Sequence, residues 1–140
     1  MINYIKAFII MLKAHWKQRD KGNHLYIFHP IRVSRKCKSK SAKLVALLHD
    51  VIEDNPNYSI GDFDFLNEEE KNALELLTHN EDVAYFEYIN EIKNDEIARD
   101  VKLSDLKDNS NLKRLSNITD KDLKRVEKYK LAENILLSEQ

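Results

Sequence analysis

The chain has 140 residues, a formal net charge of −1, one cysteine and only two glycines. That length suits a single domain, residues 1–140, whose core needs no covalent staple, and the lone Cys37 excludes an intramolecular disulfide. With glycine only at Gly22 and Gly61 there is no Gly-rich phosphate cradle of the P-loop or Rossmann kind, so side chains or a metal must hold any phosphate. Neither a signal peptide nor an apolar run of about 18 residues is present, which predicts a cytoplasmic protein with no membrane partner. The balanced charge makes nucleic acid a poor partner.

Helical periodicity runs through almost the whole chain, with no strand-type alternation, repeat or low-complexity linker. A first helix over about Asn3 to Arg19 carries the apolar stretch Ala7 to Leu12, too short to span a membrane. A loop follows to Phe28. Pro30 then suits the first turn of a helix reaching about Cys37 and pins His29 at its entrance. A helix over about Ser41 to Glu53 ends before the turn Asn55-Pro56-Asn57. Further helices are expected near Glu68 to Thr78, Asp82 to Lys93 and Glu96 to Leu112, and Thr119-Asp120-Lys121-Asp122 caps a last one running to about Leu137. The fold class is all-α, a helical bundle with its site at the centre.

The run Leu47-Leu48-His49-Asp50-Val51-Ile52-Glu53-Asp54 threads four ionisable residues into an otherwise apolar helix. Leu44, Leu47, Leu48, Val51 and Ile52 recur at core-facing spacing, so the polar edge borders the core. On a continuous helix His49 would stack on Glu53, and Asp50 on Asp54, one turn apart. A His-Asp dipeptide alone is a weak signal, and an acidic helix end is commonly a solvated face. Two further features strengthen it: His29 at its helix entrance, and Asp105 one turn from Asn109 on a distant helix. Together His29, His49, Asp50 and Asp105 make a mixed nitrogen and oxygen set that suits manganese, iron or another divalent ion.

Read in order, Ala14-His15, Gln18-Arg19, Gly22, Tyr26-Ile27-Phe28-His29-Pro30, Leu47 to Asp54, Lys102-Leu103-Ser104-Asp105 and Asn109 resemble the HD superfamily of metal-dependent phosphohydrolases. The resemblance is closer to the hydrolase domain of RelA/SpoT-type enzymes and to the small alarmone hydrolases. It implies an HD-domain bundle around a divalent metal, by preference Mn2+, held by His29, His49, Asp50 and Asp105, with Glu53 and Asp54 as catalytic carboxylates. It implies Arg19 and Asn109 as contacts to a guanine nucleotide, Lys21, Lys102, Arg125 and Tyr129 as further substrate-binding residues, with Lys102 either pairing with a carboxylate or binding phosphate, and His15 as a packing residue behind the site. The implied reaction removes the 3′-pyrophosphate of (p)ppGpp, the stringent-response alarmone, giving GDP or GTP and pyrophosphate. A synthetase domain like that of the long enzymes does not fit in this length.

The chain departs from that pattern around the substrate. One extra residue separates Gly22 from Tyr26, Leu25 replaces the usual proline, and Asp20 replaces a basic residue, with Lys21 next to it. Leu106-Lys107-Asp108-Asn109 replaces Arg-Leu-His-Asn, and Leu112 stands where a threonine is usual. These changes keep open another HD phosphohydrolase, such as a nucleotidase or a dinucleotide-cofactor phosphatase, and beyond it a non-catalytic nucleotide-binding module. A homo-oligomer also stays open. The basic stretch Arg32, Arg35, Lys36, Lys38, Lys40 and Lys43 contains no acid and reads either as a solvated connection or as a field drawing in a polyphosphate anion. His24 and His79 read as solvated loop residues, and Tyr85 and Tyr88 as core or rim. Tyr129, with Arg125 and Lys128, lies on the late helix that related enzymes close over the nucleotide.

Overall fold

A computed structural model describes residues 1–139. Among them α1 (Ile2–His15), α2 (Phe28–Lys36), α3 (Lys40–Leu48), α4 (Val51–Asp54), α5 (Glu68–Leu77), α6 (Tyr85–Lys93), α7 (Glu96–Asn109) and α8 (Asp120–Leu137) follow one another without a strand. Short 3-10 turns lie at Ile60–Asp62 and Leu112–Arg114. The all-α bundle expected from the periodicity is the fold observed.

Helix α3 lies at the centre, packed against α1, α2, α5 and α7. Ser39 starts it by accepting a hydrogen bond from the Ala42 amide, and Ala42, Leu44, Val45, Ala46, Leu47 and Leu48 are all buried. Each buried leucine or valine contributes roughly 1.5–3 kcal/mol relative to exposure. Helix α7 closes the other side, burying Ala98, Val101 and Leu106 against α2, α3 and α8. Helix starts are specified locally. Asn67 and Glu70 form a reciprocal cap on α5, Asp95 caps α7, and the expected Thr119 cap on α8 is completed by Asp122.

Helix α1 stops at His15, a turn earlier than its periodicity suggests, and residues 16–27 fold into a loop stitched to itself. The Gln18 amide donates to the His15 carbonyl at 3.0 Å and the Tyr26 amide to the Gln18 carbonyl at 2.9 Å. The Asp20 carboxylate accepts from the amides of Gly22 and His24, both at 2.9 Å. The acid that departs from the related pattern is therefore the organiser of this loop. Asn23 sits at φ 63°, a left-handed position that asparagine tolerates. Gly22 docks against the second 3-10 turn so closely that an added Cβ would lie 2.5 Å from the Arg114 carbonyl oxygen.

Candidate active site

The helix expected over Ser41 to Glu53 is not continuous. It breaks at His49 and Asp50, because the His49 ring competes for the carbonyl that the next turn would need: Nδ1 donates to the Ala46 oxygen at 2.6 Å. Asp50 then takes φ −107° and ψ −1°, and α4 restarts behind it. The break turns His49 and Asp50 inward together. Nε2 of His49 lies 3.1 Å from Asp50 Oδ2 and 3.3 Å from Asp105 Oδ1. His29, on the first turn of α2, brings its Nε2 to 2.9 Å from the same Asp105 oxygen. One ligand atom from each of His29, His49, Asp50 and Asp105 falls within 4.8 Å of the others.

Both histidines have Nδ1 committed elsewhere, His49 to the Ala46 carbonyl and His29 to Asp108 at 2.6 Å. That leaves each Nε2 aimed at the centre, the arrangement by which surrounding groups orient a metal-ligating imidazole. Two imidazoles and two carboxylates from two helices and a helix break fit a divalent cation. Asp108 is itself fixed, since Arg32 donates to its two oxygens at 2.8 and 3.1 Å and Arg114 donates to its carbonyl at 2.8 Å. Asp105 receives Lys102 Nζ at 2.9 Å and Asn109 Nδ2 at 3.0 Å. The Tyr26 hydroxyl donates to Asp50.

Burial opposes charge on every member of this cluster, and the opposite charges next to each outweigh it. Burial alone would raise Asp105, yet Lys102 and the two imidazoles hold it well below the usual carboxylate range. Asp50 is held at about 2, with burial again overcome by His49. Both imidazoles move upward, burial being outweighed by Asp50 and Asp105 at His49, and by Asp105 and Asp108 at His29. The site is a preformed set of anions and donors.

Glu53 and Asp54 do not share an edge. As consecutive residues of α4 they diverge, Glu53 toward α5 and α6 and Asp54 toward the 16–27 loop. Desolvation, with the Asp50 anion beside them, raises both carboxyls. Glu53 accepts from the His79 amide. Asp54 accepts from Gln18 Nε2 at 2.9 Å, and Gln18 Oε1 in turn meets His15 Nδ1 at 2.7 Å. His15 is buried and its Nε2 has no partner among the described residues; its place behind the site, against the Tyr26 ring at 4.8 Å, matches the packing role expected of it.

The cluster stands between two chambers that share Asp50, Asn109 and Tyr129. The first, of about 460 Å³, opens among Gln18, Arg19, Lys21, Gly22, Asp54, Arg114 and Arg125. The second, of about 310 Å³, lies among Glu53, His79, Tyr85, Tyr88, Lys102 and Lys128. Both are within reach of a small ligand in size. Arg19, Lys21, Asn109, Arg125 and Tyr129, expected from the sequence, therefore border the first chamber together. Arg125 is tied to Asp122 at 2.9 Å, and Arg19 to the Asn23 carbonyl at 3.0 Å. Lys102 lines the second chamber, but its ammonium is bonded to Asp105.

One expectation is corrected and two are narrowed. His79 is not a solvated loop residue: it stacks on Tyr88 with ring centroids 4.4 Å apart and its Nε2 donates to the Val83 carbonyl at 2.8 Å, forming a chamber wall. Tyr85 and Tyr88 face that chamber as well as the core. The basic stretch supplies no cation to either chamber; Arg32 is bonded to Asp108, while Lys36 and Lys38 border a separate groove. Asp108 and Arg114 were missed, and Gln18 was noted only as part of a motif, without its bond to Asp54. Asp108 carried a readable signal, an acid one helical step from Asp105 on the same face of α7.

No family model matches the sequence, and no curated protein matches it. Among solved structures the chain is similar to a metazoan ortholog of SpoT described as hydrolysing ppGpp and playing a role in starvation responses, with a TM-score of 0.79 and 20 % sequence identity over 99 % of this chain and 87 % of that one. What the two share at that identity is the fold, an all-α bundle laid out over nearly the full length of the present chain.

Proposed function

We propose that the protein is a metal-dependent phosphohydrolase that removes the 3′-pyrophosphate of (p)ppGpp, producing GDP or GTP and pyrophosphate. The observation that carries this reading is the His29, His49, Asp50 and Asp105 cluster standing between two cation-lined chambers, in a fold similar to that of a ppGpp hydrolase. A nucleotide with a pyrophosphate on its 3′ side needs two such compartments, one for the nucleoside and one for the pyrophosphate.

His29, His49, Asp50 and Asp105 would hold the cation, with Mn2+ the preferred ion for this mixed donor set. Bound there, it supplies Lewis-acid chemistry that offsets phosphoryl charge and makes water a better nucleophile near neutral pH. Asp108 positions the His29 ring, and Lys102 and Asn109 hold Asp105. Arg19 packs on the guanine, with Lys21, Arg125 and Tyr129 enclosing the nucleoside side, and Asn109 reaches the ribose. Water attacks the phosphorus next to the 3′ oxygen, that P–O bond breaks, and the 3′ oxygen leaves as a hydroxyl. Glu53 takes the proton from the attacking water, while Asp54, held by Gln18, gives a proton to the leaving 3′ oxygen.

Incubation with ppGpp and manganese, with chromatographic identification of products, tests the reading. GDP and pyrophosphate are expected, and full activity after dialysis against excess chelator would overturn the metal assignment. Orthophosphate as the primary product would assign the site to a nucleotidase or cofactor phosphatase. That reading is favoured by one observation, the altered Leu106-Lys107-Asp108 segment beside the cluster.

A further inference from the structure

Helix α1 presents an apolar face that none of the described residues covers. Ala7, Met11 and His15 turn inward, while on the opposite side Ile2, Ile5, Ile9 and Trp16 are 68, 50, 46 and 63 % exposed. With half-buried Leu12 between them, these residues recur alternately three and four positions apart. At roughly 100° per residue they occupy an arc of about 80°, a continuous stripe along the helix. Lys6, Lys13 and Lys17 are exposed along one flank of the stripe, and among the described residues none of them forms an ion pair. No acid occurs before Asp20, although the chain as a whole has a formal charge of −1.

We infer that α1 docks flat on an anionic lipid surface, its isoleucines and Trp16 entering the headgroup boundary and its lysines meeting lipid phosphates. Apolar stripe, basic flank and an aromatic at one end are the composition of helices that lie in a bilayer interface. The helix does not cross the bilayer, and none of the described helices is long and apolar enough to do so. The sequence-based expectation of no membrane partner rested on the absence of a spanning segment and does not bear on this mode. A second copy of the chain fits the stripe less well. Two such helices laid antiparallel would set Lys6 beside the Lys13 of the other copy, like charge against like. Asp62 and Asp64 stand in the segment whose Phe65 carbonyl accepts from Asn3, at the N-terminal end, so the lysines toward the other end make the main contact. The inference rests on α1 alone and stands whichever phosphate ester the cleft hydrolyses.

Trp16 is the single tryptophan of the chain and reports docking directly. With vesicles of mixed phosphatidylglycerol and phosphatidylcholine, the protein is expected to co-sediment and its emission to shift to shorter wavelength. Ile5→Asp with Ile9→Asp should abolish both effects while circular dichroism stays unchanged, since these positions are outside the core. Lys13→Glu with Lys17→Glu should weaken partitioning by about fivefold or more per lysine. Absence of binding to the anionic vesicles overturns the inference, as does equal binding to pure phosphatidylcholine. A wild-type dimer in light scattering that Ile5→Asp with Ile9→Asp dissolves would also overturn it, by assigning the face to a second copy.

Discussion

The two chambers flanking the His and Asp cluster are built by different means. The Glu53 side is walled by helices, and its cations are engaged: Lys102 is bonded to Asp105, and Lys128 lies 4.3 Å above the Tyr85 ring. The Asp54 side is walled by the 16–27 loop and the Leu112–Arg114 turn, whose backbone is held by local hydrogen bonds and the close Gly22 approach. On the proposed reading, helical walls would stand beside the reacting centre and a loop beside the nucleoside. Changes on the helical side should alter rate, and changes on the loop side should alter recognition.

The largest effect is expected where the partition itself is removed. Asp105→Asn and His49→Ala should each eliminate turnover and lower bound metal measured by elemental analysis, since Asp105 alone meets both imidazoles, Lys102 and Asn109. Retention of stoichiometric manganese with full activity in either variant would remove the cluster from the mechanism.

Next in size is the contrast across the partition. Glu53→Gln should keep its metal and lose roughly a hundredfold or more in kcat, the range for a lost general acid or base. Asp54→Asn, whose partner Gln18 can still bond an amide, should lose less. Equal losses would show that the two carboxylates act as one unit.

A smaller, differently shaped effect belongs to the loop. Arg19→Ala should raise KM for a guanine nucleotide more than it lowers kcat, the pattern for a group that binds ground and transition states alike. Gly22→Ala should do the same by a different route, because its Cβ would meet the Arg114 carbonyl at 2.5 Å and push the loop off the turn. A kcat defect with normal KM in both would contradict the division between chambers. The smallest change is thermodynamic. Manganese at about a hundred times its Kd should stabilise the fold by roughly 2.7 kcal/mol, seen as a rise in Tm that Asp105→Asn removes.

The helical periodicity made the bundle legible, and the order of short motifs brought out the residues of the cluster. Two kinds of feature were not legible. The break at His49 and Asp50 hides inside an apolar pattern that reads as one unbroken helix, because the competing bond from the His49 ring to the Ala46 carbonyl is a three-dimensional choice between two acceptable partners. His79 and Lys128 gain their roles only from tertiary approach, His79 to Glu53 and Lys128 to Tyr85. Of the two readings open for the basic stretch, the field toward the site fails for the opposite reason. A run of like charges along the chain says nothing about which way each side chain faces, and Arg32 spends its charge on Asp108.

The self-stitched 16–27 loop has an implication for how this scaffold can change. Asp20, Asn23 and the paired backbone of Gln18 with Tyr26 shape it from within, and its close approach to the rest of the molecule at Gly22 needs only a residue without a side chain there. It is a transplantable cassette. Exchanging it between bundles of this kind, with Gly22 and the Gln18 and Tyr26 bonds to Asp54 and Asp50 retained, should transfer nucleotide preference while the His and Asp cluster and the helical wall stay as they are.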